Sequence, residues 1–178
     1  MKKLYFTRHG QTTWNVKNKI CGKTDVELTD LGKEQAKMLA QKIKEQEIHL
    51  DGILYSPLIR AKETALIISK EINVPAYEEP LLIEQCFGKF EGTSPRNASD
   101  FVEAKKQFIN SYESGESMFR LAQRIYNLLD QIKKDEKVYL LVAHNGISRV
   151  IESYFRDMTN EEYACFGIKN CELKQYEI

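Results

Sequence analysis

Two stretches of the chain set a histidine at the end of an apolar run, with a glycine close behind. They are Phe6-Thr7-Arg8-His9-Gly10 and Val142-Ala143-His144-Asn145-Gly146. A third apolar run, Gly52-Ile53-Leu54-Tyr55, ends at Ser56-Pro57 and is followed by Arg60. Gathered in one crevice, Arg8, Arg60, His9 and His144 would form a strong local anion site, because arginine's planar fork suits phosphate oxygens. A histidine held in such a site can do more than bind. Its neutral ring nitrogen can attack phosphorus in line and form a covalent phosphohistidine. The arginines and the second histidine would then neutralise charge on the equatorial oxygens.

These residues lie far apart in sequence, so the elements between them must bring them together. Strand-like and helix-like segments alternate, which predicts an α/β layered domain. The first strand spans about residues 2–7. Thr29 is placed to cap a helix in which Ala36, Leu39, Ala40 and Ile43 form one apolar face. Residues 52–55 form a strand, and Ser56-Pro57 reads as an N-cap with proline at the first helical position. Ala61, Ala65, Ile68 and Ile72 mark the next helix, closed before Pro75. A short strand is expected within 76–83, a loop over 88–96, and a helix from Ser99 to about Tyr112. Met118, Leu121, Ile125, Leu128 and Ile132 give the clearest helical stripe. Residues 138–143 are continuously apolar, as a strand covered on both faces should be. A further helix starts near Ile147, and one or two strands joined by Asn170 end the chain. In an open parallel sheet, ligands bind beyond the carboxyl ends of the strands. Parallel neighbours ending at residues 8, 55 and 143 would therefore bring Arg8, His9, Arg60 and His144 together, with helix N-termini beside them.

The motifs resemble those of the histidine phosphatase superfamily, the phosphoglycerate mutase-like proteins. Arg8-His9-Gly10 with Trp14-Asn15 resembles its signature. Cys21-Gly22 with Asp25, and Leu28-Thr29 with Gly32, resemble its glycine loop and first helix. Ser56-Pro57-Leu58-x-Arg60-Ala61-x-x-Thr64-Ala65 is similar to its second-arginine segment, and Glu84 with Gly88 and Glu91-Gly92 to its acid-bearing loop. Gly115-Glu116-Ser117 and Ala143-His144-x-Gly146-x-x-Arg149 complete the order, so the resemblance covers nearly the whole chain.

The resemblance implies a three-layer α/β/α sandwich with a mostly parallel sheet of about six strands. It implies His9 as the nucleophile, with Arg8, Arg60 and His144 binding and polarising the phosphoryl group. Glu84 becomes the proton donor to the leaving oxygen and then the base that activates water. Asn15, Cys21, Gly22 and Asn145 join Arg8, Arg60 and His144 around the substrate, and no metal or other cofactor is needed. Residues 85–115 would be a variable segment of a single domain spanning 1–178, covering the pocket. The sequence departs from the family pattern at Gln11-Thr12 and at Asn145, where many phosphatases carry a second glycine.

Each residue has a plainer reading. Taken alone, His144 is a satisfied histidine at a strand end, and Arg60 a solvated first-turn arginine. Glu78, Glu79 and Glu91 compete with Glu84 as loop acids. Trp14 and the stripe from Met118 to Ile132 read as packing, and Glu116 as an acid offsetting a helix dipole.

The whole chain narrows the function further. With 178 residues, 42% of them hydrophobic, it can bury a sizeable core. Lys and Arg total 26, as do Asp and Glu, so no global field recruits nucleic acid or an anionic membrane. No stretch approaches the roughly 18 apolar residues of a membrane span. The apolar run after Lys2-Lys3 is too short for a secretory signal. Cysteines 21, 86, 165 and 171 show no paired spacing and read as free thiols in a cytoplasmic protein. The expected activity is hydrolysis of a small phosphorylated metabolite. A phosphoglycerate mutase using the same residues is the alternative, disfavoured by the short 85–115 segment. A non-catalytic phospho-ligand-binding module is a second alternative. The oligomeric state is left open.

Overall fold

The computed structural model describes residues 2–178. Strand β1 (Lys3–Arg8) leads into a single helical turn, α1 (Thr13–Val16), and then α2 (Asp30–Glu45). Strand β2 (Gly52–Tyr55), helix α3 (Ile59–Ile72) and the short strand β3 (Ala76–Glu78) follow. Two 3₁₀ turns, Pro80–Leu82 and Gly88–Phe90, precede α4 (Ser99–Lys105) and the long α5 (Met118–Lys134). The chain continues through β4 (Tyr139–Ala143), α6 (Asn145–Phe155), α7 (Asn160–Cys165) and β5 (Leu173–Glu177). The sheet order is β3-β2-β4-β1-β5. All neighbours pair in parallel except β5, which runs antiparallel to β1.

The strands alternate their side chains between two apolar layers. Leu4, Phe6, Leu141 and Ala143 pack with Leu121, Ile125 and Leu129 of α5 and Ile147 and Val150 of α6. Tyr5, Ile53, Leu140 and Val142 pack on the other face with Ala36, Leu39 and Ala40 of α2 and Ala61, Ala65 and Ile68 of α3. This is the expected α/β/α sandwich. Each fully buried leucine here contributes about 1.5–3 kcal/mol through its removal from water. A smaller cluster of Ile20, Phe87, Phe90, Phe101, Ala104 and Tyr112 sits apart from both layers.

Several boundaries differ from the sequence reading. The sheet has five strands instead of about six, because the last stretch forms one strand and Asn170 lies in the loop before it. Ser56 does not cap α3. The N-cap is Leu58, and the free N–H of Ile59 is taken by Asp25 Oδ1 at 2.8 Å, from a loop 34 residues away. Helix α4 ends at Lys105, well short of Tyr112. Tyr112 and Glu113 have positive φ, and Tyr112 turns inward against Phe87, Phe90 and Phe101. Ser99 is the first helical residue of α4, and Ala98 is its N-cap. Helix α6 begins at Asn145, immediately after His144. Helix α7 adds to the elements expected from periodicity, and Thr159 and Glu162 open it with a capping box. Among the described residues, no helix is long and apolar enough to cross a membrane.

Candidate active site

Parallel pairing sets Arg8 opposite Ala143 and Tyr55 opposite Val142, so β1, β2 and β4 end at one edge of the sheet. Arg8 closes β1, and His9 extends the pairing through its N–H to the Ala143 carbonyl at 3.0 Å. His144 occupies the turn from β4 into α6, and its ring centroid lies 5.2 Å from that of His9. Arg60 stands in the first turn of α3. Gly10 lets this edge close tightly, since a Cβ there would lie 2.2 Å from the Gly32 carbonyl oxygen of α2. The Gly10 N–H donates to Thr64 Oγ1, and that hydroxyl donates to the Arg60 carbonyl, tying the β1 turn to α3.

The imidazole of His9 is 5% exposed, and its Nδ1 lies 2.7 Å from the Gly10 carbonyl oxygen. A carbonyl only accepts, so Nδ1 carries the proton and Nε2 keeps its lone pair. Burial, then the charges of Arg60 and Arg8, hold the His9 pKa well below its ordinary value. His144 is fully buried and lowered in the same way, first by burial and then by Arg60. Its Nε2 pairs with Ser56 Oγ at 2.7 Å, and its Nδ1 has no partner. Arg60 donates to the Gly22 and Thr24 carbonyls, and Arg8 to the Ile168 carbonyl. The Nε atoms of both arginines are buried without a partner. Burial and nearby Arg96 lower the Arg8 pKa to about 10.

Glu84 is the carboxylate among them. It is 3% exposed and accepts from the Gly146 N–H at 2.9 Å and the Gln85 N–H at 2.8 Å. Burial raises its pKa despite those bonds and the charges of Arg60 and Arg149. The N-terminus of α6 therefore serves the carboxyl of Glu84, where the sequence reading offered helix N-termini to the anion. Gly146 leaves room for this seat, because a Cβ there would lie 2.4 Å from Glu84 Oε1 and would press the carboxyl aside.

A cavity of about 370 Å³ opens on this cluster. Arg8, His9, Asn15, Cys21, Glu84 and Asn145 line it, whereas Gly22, Arg60 and His144 stand behind its wall. Gly22 offers its carbonyl to Arg60, and its lack of a side chain admits Glu91 and the Gln85 carbonyl. Asn145 Oδ1 is taken by the Ile168 N–H. Burial raises the Cys21 thiol to about 11. Of the competing acids, Glu79 accepts from the Leu81 N–H. Glu91 accepts from Lys23, Thr24 and Phe87, clamping the 21–24 loop to the acid loop. Burial pushes the Glu91 pKa up, but these bonds outweigh it and hold the group below its ordinary value. Among the described residues, no group of three His, Cys, Asp or Glu side chains is placed to hold a metal ion.

The sequence profile of the histidine phosphatase superfamily (branch 1) matches residues 4–178. The chain belongs to this superfamily. It is 34% identical over 158 residues to a metal-independent phosphoserine phosphatase of Arabidopsis thaliana, spanning 83% of this chain and 66% of that protein. It is 30% identical over 186 residues to a probable phosphoglycerate mutase, GpmB, of Yersinia pestis (strain Pestoides F), spanning 99% of this chain and 85% of the relative. The fold matches that of a mycobacterial glucosyl-3-phosphoglycerate phosphatase in complex with VO3. That match has a TM-score of 0.85 at 23% identity and covers 98% of this chain and 90% of that one.

Membership in the superfamily leaves several neighbours of the site to the structure alone. Asn170 Nδ2 donates to the His9 carbonyl at 2.8 Å and to Asn15 Oδ1 at 3.2 Å, joining the β5 approach to the β1 turn. Ser56 holds His144. Arg96, Lys105 and Arg149 reach the cavity wall from three segments. No local spacing marks Asn170, Arg96 or Lys105. Arg149 was visible only as a landmark in the second-histidine motif.

Proposed function

We propose that this chain is a metal-independent phosphatase that hydrolyses small phosphomonoesters through a phosphohistidine on His9. The observation that carries the reading is the His9 tautomer: Nδ1–H is committed to the Gly10 carbonyl, inside a cluster of cations. Nε2 is thereby kept neutral and nucleophilic where an anion is attracted. Attack of Nε2 on phosphorus forms the N–P bond as the P–O ester bond breaks. Glu84, its pKa raised by burial, gives its proton to the departing oxygen. The resulting carboxylate takes a proton from water, whose oxygen attacks phosphorus. The N–P bond then breaks, phosphate leaves, and Glu84 is again protonated. Arg8 holds the equatorial oxygens from the cavity wall, with the charge of Arg60 and the unpartnered Nδ1 of His144 behind it; Asn15, Cys21 and Asn145 complete the lining, Gly22 anchors Arg60, and residues 85–115 cover the pocket. The family membership and the phosphoserine phosphatase relative support a phosphatase.

The test is phosphate release from an aryl phosphate in EDTA, comparing wild type with His9→Ala. Release by wild type alone is expected. Substantial release by His9→Ala would overturn the mechanism. The 30% identity to a probable phosphoglycerate mutase favours a second reading, in which the phosphoryl group returns to substrate. Interconversion of 2- and 3-phosphoglycerate without phosphate release would select it.

A further inference from the structure

His144 occupies the N-cap position of α6, yet its ring makes no capping bond. It pairs with Ser56 instead. Parallel pairing of β2 with β4 sets Tyr55 opposite Val142, and the Ser56 N–H donates to the Val142 carbonyl at 3.1 Å. Ser56 and His144 thus meet where the two strands end, and both are wholly buried.

A hydroxyl has one hydrogen to give and two lone pairs with which to accept. At Ser56 the Leu58 N–H approaches one lone pair at 3.4 Å. Among the described residues, the one acceptor in reach of the hydroxyl hydrogen is His144 Nε2, at 2.7 Å. Were Nε2 protonated, Ser56 would accept twice and its own hydrogen would be buried without a partner, which folded interiors avoid. Ser56 therefore donates, and Nε2 accepts. A neutral imidazole carries one proton, so that of His144 sits on Nδ1. Burial, then the charge of Arg60, holds the ring neutral.

The Nδ1–H of His144 is buried and has no partner, and the His9 ring lies 5.2 Å away, centroid to centroid. The two rings share a tautomer and use it in opposite ways. His9 spends Nδ1–H on the Gly10 carbonyl and keeps the Nε2 lone pair. His144 spends Nε2 on Ser56 and keeps an N–H.

We propose that Ser56 is a positioning residue: its hydroxyl fixes His144 as the Nδ1–H tautomer, so that the ring offers a donor to an oxygen of the phosphoryl group transferred to His9. The opposite tautomer would set a lone pair against that oxygen's negative charge. The identity of the oxygen rests on the phosphatase reading, whereas the tautomer does not.

Two measurements on the full chain test this. In the chain carrying His9→Asn and His49→Gln, His144 is the one remaining imidazole. Long-range proton–nitrogen NMR of labelled histidine should give a protonated signal for Nδ1 and an unprotonated one for Nε2. Adding Ser56→Ala should move both toward their average. The reverse pattern, or a pattern that Ser56→Ala leaves unchanged, would overturn the proposal. The second measurement is calorimetric binding of orthovanadate to the otherwise native chain. Ser56→Ala should weaken it about tenfold or more, the worth of a hydrogen bond to a charged group, and Ser56→Thr, which keeps the hydroxyl, should restore it to within about threefold. Ser56→Cys, a weak donor, takes the place of Ser56→Ala if that variant does not fold. Unchanged affinity in Ser56→Ala, a loss in Ser56→Thr despite an intact Nδ1–H pattern, or no binding of orthovanadate to wild type would overturn the role. If the tautomer and the Ser56-dependent affinity both hold while wild type releases no phosphate from any ester, the positioning role stands and the phosphatase reading falls.

Discussion

His9 and Glu84 are both buried, and burial pushes each toward its neutral form. For the histidine this means a free base, and for the glutamate a proton to give. The two assignments follow from environment and are separable by experiment. Glu84→Gln should slow alkyl phosphates by about 10²–10⁴-fold and aryl phosphates far less, because only the alkoxide leaving group needs a proton. Steady-state rates on both substrates check this, and equal slowing would move the acid elsewhere. Arg8 and His9 were legible because an arginine and a histidine interrupt an apolar strand and are followed by glycine. Ser56 was read as a helix cap, yet its hydroxyl holds His144 from 88 residues away. Asn170 carried no local signal, since its partners, His9 and Asn15, lie at the other end of the chain.

The elements fix the distances that the chemistry needs. Helix α6 starts one residue after His144 and points the Gly146 N–H at Glu84, so one turn serves both residues. Gly146→Ala would drive a Cβ into Glu84 Oε1 and shift the carboxyl. The expected result is a fall of about 10²-fold in kcat with a small change in KM, since displacing a reacting group by about 1 Å has that cost. An unchanged kcat would show that this seat does not matter. Strands β1, β2 and β4 were readable as short apolar runs because both of their faces are covered, and helices α2, α3 and α5 from periodicity because each buries one apolar face. The segment after α4 was not. Its aromatic residues fit a helical spacing, but Tyr112 takes a positive φ and joins the Phe87–Phe90–Phe101 cluster. Tertiary packing decides the backbone there, and periodicity does not record it.

Over the whole molecule, the site sets a dependence of stability on pH. The unfolded chain protonates its imidazoles near pH 6.5, whereas folded His9 and His144 resist protonation well below that. Between those limits the unfolded state binds more protons, so stability is lost as pH falls. Each such imidazole contributes a slope of about 1.4 kcal/mol per pH unit. Glu84, raised in the fold, acts in the opposite sense, losing stability as pH rises through its folded pKa, but it is one group against two. Wild type should therefore lose Tm between pH 7 and pH 5, and His9→Asn should lose clearly less. Identical slopes would mean that His9 accepts a proton in the fold.

The central claim is that the phosphoryl group passes through His9. Mixing wild type with an aryl phosphate, quenching without acid and mapping the adduct by mass spectrometry tests it most directly. The account predicts a phosphoryl group on His9 that disappears on acid treatment and is absent from His9→Ala. Steady phosphate release with no adduct on His9 under rapid quench, or an adduct on another residue, would contradict it.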